Sequence, residues 1–245
     1  MTLPTLALLR LSPEVAEGGP PIERSLIWMD RFHLACIAAL DGRLDQACEL
    51  TGRSESGAML TGHRHVHWLP LADGNGENPV VSRILAWCPA GFGAASLEVL
   101  ARRTRVYIHA QSRVAIVSPE CLGNGVDEAV RAREAVAQAS SHWVSRHPFV
   151  LARHPKAHRD SLEDQVRREL DQRGFPAPAS IQSEPWAGSV PWVLQRGHQE
   201  KKAASSQLFR VTLAFEGAVQ GPVALGHGSH FGLGLFTPEH DDARN

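Results

Sequence analysis

Three histidines at alternate positions, His63, His65 and His67 in TGHRHVHWLP, form the densest group of chemically versatile side chains in the sequence. Imidazole exchanges a proton near neutral pH and also ligates metals. Alternate residues of a strand share one face, so the spacing predicts a strand over 63–67 with all three rings on the same side. Three readings of that face stand open: proton transfer on a substrate, a zinc ion held by three ring nitrogens, or hydrogen-bonded braces for a sheet. No cysteine or carboxylate lies within the segment to complete a mixed ligand set.

The second candidate is the ending GPVALGHGSHFGLGLF. Gly226, Gly228, Gly232 and Gly234 are set in an apolar frame with Ser229 and His230 among them. Glycines at this density imply unusual backbone angles or close approach of a ligand to the main chain. Exposed amides in such a loop would cradle a phosphate; a tight turn before a closing strand is the alternative. The stretch lacks the GK[ST] of a P-loop and the βαβ surroundings of a dinucleotide fingerprint. His230 reads either as a group touching bound ligand or as a cap on the loop's own carbonyls.

Charge is distributed unevenly. The net charge is -1, yet residues 144–159 contain no acid and carry Arg146, Arg153, Lys156 and Arg159 with His147, His154 and His158. Residues 101–113 are likewise free of acids and carry Arg102, Arg103 and Arg105. Such patches can follow a phosphate backbone even on a neutral chain; solvated charged faces are the alternative. Trp68, Trp87 and Phe92 sit among aliphatic residues and read as core. Trp143, beside the basic run, reads as core or as a stacking platform for a base.

The elements that must position these groups follow from pattern. A chain of 245 residues suits one large domain or two small ones. Residues 23–40 have helical apolar spacing and stop at Asp41-Gly42. The histidine segment and residues 80–87, separated by a run of turn formers, predict a hairpin. A short helix is expected near 94–103, strands at RVYIHA and RVAIVS, and a helix over 126–140. PFVLAR predicts a strand. Ser161 and Asp164 form a capping pair for a helix that Gly174 ends. PAPASIQS gives a short strand, 186–205 an irregular connection, and SQLFRVTLAF the clearest alternating strand. Together these imply an α+β protein with helices on one face of each sheet, divided near Ser141 into residues 1–140 and 141–245.

The four cysteines are scattered without a CxxC pair, against a zinc ribbon or a disulfide framework and in keeping with a reducing cytoplasm. TLPTLALLRL is broken by Pro4 and Arg10 and has no cleavage-site pattern, so no signal peptide is expected. No apolar run is long enough to cross a bilayer, and no membrane partner is expected.

The spacing LG, five residues, GLG in LGHGSHFGLGLF resembles the glycine-rich loop of the CRISPR-associated RAMP superfamily. With PPIERSLIW, GHRHVHWLP and HWVSRHPFVLARHPK in the same order, nearly the whole chain resembles the crRNA-processing half of the type I-U (I-G) fused backbone–processing protein. The resemblance implies two ferredoxin-like (RRM-like) βαββαβ-type domains with a C-terminal glycine-rich loop. It implies a partner, CRISPR repeat RNA, and no cofactor. It also implies cleavage of each repeat to a 2′,3′-cyclic phosphate and a 5′-hydroxyl. The backbone half of the fusion has no counterpart here, so a backbone role would fall to another subunit of a type I interference complex. Metal-free RNA cleavage needs a base for the 2′-hydroxyl, an acid for the leaving 5′-oxygen and positive charge for the phosphorane. His63 or His65 is the expected base, with the other or His67 or His230 assisting, and Arg153 and Lys156 at the phosphate. The other Arg candidates and the loop residues Gly226, Gly228, Ser229, Gly232 and Gly234 are the expected RNA contacts. A family member that binds RNA without cutting it, and a histidine–metal hydrolase, remain as rivals.

Overall fold

A computed structural model describes residues 2–14, 19–73, 79–108, 113–154, 160–188, 192–194 and 207–239. The chain divides into two compact units. The first comprises Met1–Val130, Val190–Glu200 and His230–Gly232; the second comprises Arg131–Ser189, Lys201–Ser229 and Leu233–Asn245.

The first unit begins with β1 (Leu6–Pro13), whose Leu6, Ala7, Leu8 and Leu9 are all at most 1% exposed. A run apolar on both faces reads as a strand between neighbours, and β1 is the middle strand. The α1 helix (Ser25–Ala39) follows, then one helical turn, α2 (Cys48–Thr51). Ser25, Met29, Phe32 and Cys36 form its buried stripe, as helical spacing requires, and the chain leaves it through left-handed Asp41 and Gly42. Next come β2 (His67–Ala72), β3 (Val81–Trp87), α3 (Ala94–Leu100), β4 (Thr104–Ile108) and β5 (Arg113–Cys121). The sheet order is β2-β3-β1-β5-β4, with every pair antiparallel. Because β1 and β2 both run antiparallel to β3, they are parallel to each other with α1 as the crossover, a split β-α-β unit. The start of β1 is clamped by Asp127, which accepts the backbone N–H groups of Thr5 and Leu6 at 3.0 and 2.9 Å.

The α4 helix (Val126–Arg133) carries the chain into the second unit. There β6 (Ala139–Ser145), β7 (Phe149–Val150), α5 (Leu162–Gln172), β8 (Ser180–Pro185), β9 (Leu208–Gln220) and β10 (Phe236–Pro238) follow. Leu213 of β9 pairs with Trp143 of β6 and Ile181 of β8, so those strands flank β9 on opposite edges. Phe209 pairs with Phe149 and with Pro185, which puts β7 on the β6 edge. Here the parallel pair around a central partner is β6 and β8, the first and third strands of the unit, with α5 between them in the chain. The α5 N-terminus is a capping box: Ser161 Oγ accepts from Asp164 N at 3.1 Å and Asp164 Oδ2 accepts from Ser161 N at 2.9 Å. Gly174, at φ 76°, ends the helix.

Both units are α+β with one antiparallel sheet, and both depart from a plain βαββαβ repeat. The first adds β4 at its sheet edge. Between the second unit's β9 and β10 the described residues hold no α-helix, only a 3-10 turn at Ser229–Phe231 in the glycine-rich stretch, whose His230 and Phe231 belong to the first unit. The helix expected over 126–140 stops at Arg133, because the residues beyond Ala135–Ala137 are taken into β6. Trp143 belongs wholly to the core: it is 0% exposed among Phe149, Leu213 and Phe236, and its Nε1–H donates to Ser140 O at 2.9 Å. It is not a stacking platform. Among the described residues no helix is long and apolar enough to cross a membrane.

Candidate functional site

The strand expected at 63–67 exists only from His67 onward. Gly62 and His63 take left-handed backbone angles, φ 80° and 53°, which histidine tolerates better than bulkier residues. Val66 N donates to Glu49 O at 2.9 Å and Ala90 N to Arg64 O at 3.2 Å, fixing the turn against α2 and the end of β3. Gly52, the left-handed C-cap of α2, faces His65: a Cβ there would lie 3.3 Å from His65 Cδ2. The segment is therefore a turn, and the alternate-position argument does not apply to His63 and His65.

The histidines converge nonetheless, on His230, which belongs to the same unit. Its ring stacks on His65 (centroids 3.9 Å, planes 3° apart) and on His67 (3.8 Å, 25°). His63 stacks further out, at 5.2 Å and 17°. His230 Nδ1 lies 3.0 Å from Val66 O and its Nε2 lies 3.0 Å from His63 Nδ1. A carbonyl only accepts, so Nδ1 of His230 carries the proton and Nε2 of the neutral ring accepts one. His63 must then donate from Nδ1, which puts the lone pair of its neutral ring on Nε2. His67 is 0% exposed and donates from Nε2 to His63 O at 3.3 Å. It braces the turn. His230 does not cap the loop's own carbonyls; its partner is in the turn before β2.

Burial, then the neighbouring His67 and His65, hold His230 well below the ordinary histidine range, against the opposing pull of Val66 O. Burial, then His63, brings His65 down to about 4, and its Nδ1 is buried without a hydrogen-bond partner. Both rings are neutral at pH 7. The consequence for stability has a definite sign. His65 takes a proton near pH 6.5 in the unfolded chain but only near 4 when folded, so between these values the unfolded state binds more protons. Stability is complete above about pH 6.5 and is lost as the pH falls toward about 4. His65 alone sets a scale of at most about 3 kcal/mol, and His230 adds in the same direction. Urea midpoints are expected to fall on acidification from about pH 7 to about pH 4.5, and less steeply for His65→Gln. Identical slopes for the two proteins would contradict this.

The cluster opens on a cavity of ≈ 600 Å³ lined by His63, His65 and His230. It is also lined by two residues that carry no sequence signature. His33 of α1 accepts the Trp68 indole N–H on Nδ1 at 3.0 Å. Arg53 is exposed and held by a bond from Nη1 to Gly57 O at 2.9 Å. A helical histidine among apolar residues gives only a weak signal, and the arginine gives none. The stacked rings present their faces to one another, whereas ligation needs in-plane lone pairs meeting at one point. Among the described residues no three His, Cys, Asp or Glu side chains are placed to hold one ion.

The other expected contacts are divided between the two units. Arg102 pairs with Glu98 at 2.5 Å and Arg105 with Glu14 at 2.8 Å, while Arg103 is exposed. In the second unit Arg146 and Arg153 are exposed, and Gln165 of α5 bonds both N and O of Arg153, each at 3.2 Å. Lys156, Arg159 and His158 lie outside the described residues. The glycine-rich stretch spends several amides internally. Gly226 N donates to Glu169 Oε2 at 2.6 Å, His227 N to Val150 O at 2.9 Å and Gly234 N to Pro148 O at 2.9 Å. A Cβ on Gly226 would lie 2.6 Å from Val150 O, so close packing explains that glycine. Gly228 is half-buried, Ser229 is 2% exposed and accepts from Arg173, and Gly232 sits against Pro70.

No family model and no curated protein matches the chain. Among solved structures it is similar to "Csf5, CRISPR-Cas type IV Cas6 crRNA endonuclease", with 10% identity over 97% of this chain and 100% of that one and a TM-score of 0.40. It is similar to "Crystal structure of Cas6b", with 9% identity, coverage of 96% and 99%, and a TM-score of 0.33. A third, "Crystal structure of CRISPR RNA processing endoribonuclease Cas6b", gives 11% identity, coverage of 96% and 99%, and a TM-score of 0.31.

Proposed function

We propose that the chain is a metal-independent endoribonuclease that binds CRISPR repeat RNA and cuts the precursor transcript by attack of a 2′-hydroxyl. The observation that carries the reading is the hydrogen-bonded series His63 Nδ1–H to His230 Nε2 and His230 Nδ1–H to Val66 O. It orients one imidazole at a cavity wall, with the orienting ring itself fixed by a carbonyl, the logic of a base held by a third group. His63 Nε2 takes the proton of the 2′-hydroxyl and the 2′-oxygen attacks phosphorus. The bond to the 5′-oxygen breaks, and that oxygen takes a proton from solvent to leave as a 5′-hydroxyl, giving a 2′,3′-cyclic phosphate; protonated His63 then returns its proton to solvent. On protonation the His63 ring keeps its Nδ1–H bond to a neutral acceptor. Arg53 lines the same cavity and is proposed for the charge on the phosphorane; Arg153 and Lys156 are proposed for phosphate contacts elsewhere on the RNA. The resemblance of the glycine-rich ending and of the histidine segment to RAMP processing proteins selects repeat RNA as the substrate, read through hairpin shape and phosphates.

Repeat RNA incubated with the protein in EDTA is expected to be cut, and a 2′-deoxy substitution at the cut site to abolish cutting. Tight binding without cutting in either buffer favours a non-catalytic crRNA-binding subunit. Activity lost in EDTA and restored by zinc favours a histidine–metal hydrolase.

A further inference from the structure

The cavity beside the histidines has a wall that the cleavage chemistry does not use. Met59, Leu60 and Phe231 line it. Met59 is 76% exposed, although an ordered turn holds it in place. Met59 pairs with Arg53 in an isolated bridge, and Ser54 N donates to Ala58 O at 2.8 Å. An apolar side chain held out into water beside a cavity is surface available to a ligand. The described residues that line the cavity include no carboxylate, and Arg53 supplies a cation. Apolar surface, imidazole edges and a positive charge together suit a flat heterocycle joined to a phosphate. A volume of ≈ 600 Å³ lies within the range of small-molecule sites.

We propose that this cavity is a subsite for one unstacked nucleobase, the base on the ribose whose 2′-hydroxyl His63 deprotonates. The proposal rests on the ribonuclease reading. Base and ribose are one nucleotide, and His63 lines the same cavity as Met59, Leu60 and Phe231. Single-stranded RNA is recognised in this way, by bases splayed onto apolar and aromatic side chains. The base locks the ribose, so binding at the apolar wall sets the position of the 2′-hydroxyl at the basic one.

The test uses repeat RNA with an abasic ribonucleotide, its 2′-hydroxyl intact, immediately 5′ of the cut. Single-turnover cleavage of the abasic RNA is expected to be about tenfold to a hundredfold slower than that of the intact RNA. Met59→Ala, at an exposed position, should slow the intact RNA several-fold and leave the abasic rate unchanged. Equal rates for intact and abasic RNA overturn the subsite and leave the ribonuclease reading in place. If the protein does not cut repeat RNA, nucleoside 3′-monophosphates are titrated and followed by the methyl resonances of its 3 methionines. A Met59 shift with the nucleotides but not with ribose 5-phosphate supports a nucleobase-binding cavity and overturns its role in cleavage together with the ribonuclease reading. No shift overturns both.

Discussion

Replacing His63 with asparagine is expected to slow single-turnover cleavage of repeat RNA by about 10²–10⁴-fold, the range of a lost general base, with little change in stability. Asparagine is the informative substitution because residue 63 has φ 53°, a conformation asparagine adopts at small cost. Alanine would confound loss of the imidazole with backbone strain. The ring is half-buried, so its removal leaves no sizeable cavity. What disappears is the lone pair on Nε2 and the donor to His230 at 3.0 Å. His65→Gln should lose less, since burial brings His65 to about 4 and makes it a weak base at neutral pH. His230→Phe keeps the stack but removes the acceptor for His63 and the donor to Val66 O. It should change the pH dependence of cleavage as well as its rate, as expected of a positioning residue. The base assignment falls if His63→Asn cuts within about threefold of the unaltered protein, a change too small for a lost general base.

The sequence yields the members of this site more readily than their geometry. His63, His65, His67 and His230 stand out by residue type and density. Their arrangement rests on a contact between residues 167 positions apart and on two left-handed residues that a period-two argument cannot foresee. The α5 limits are legible because a capping box and a left-handed glycine are local solutions to unpaired backbone groups. β1 is not, since a strand buried on both faces has no alternation to detect. Residues 134–140 read as the end of a helix, yet Ala135–Ala137 form a 3-10 turn and Ala139 and Ser140 are recruited into β6, an override of local propensity by strand pairing. Arg53 and His33 carry no motif; only the folded chain brings them to the cavity. The glycines are conspicuous in sequence, yet the reason for Gly226 is packing against Val150 O, while its amide goes to a carboxylate.

That carboxylate leads to the second large effect. Glu169→Ala is expected to destabilise the second unit by about 3–5 kcal/mol, the cost of breaking a buried ion pair from one side. The Arg173 side chain is 2% exposed and Glu169 12%, with Nη1 and Oε2 2.9 Å apart. Burial draws Arg173 below its ordinary range, and Glu169 opposes that shift. Without the Glu169 carboxylate the guanidinium keeps Ser229 Oγ at 3.2 Å and the backbone O of residue 169 at 3.2 Å but loses the charge paired with it at 2.9 Å. Gly226 N, now 2.6 Å from Oε2, loses its acceptor. Both penalties come from groups that cannot reach water. Removing both charges with Glu169→Leu and Arg173→Met should therefore recover most of the loss, because an apolar pair of similar volume leaves no buried charge. Hydrogen exchange of the β9 amides reads the second unit separately from the first. A double variant as unstable as Glu169→Ala would mean that the cost lies in the orphaned Gly226 amide and in packing, not in the guanidinium's loss of the Glu169 charge.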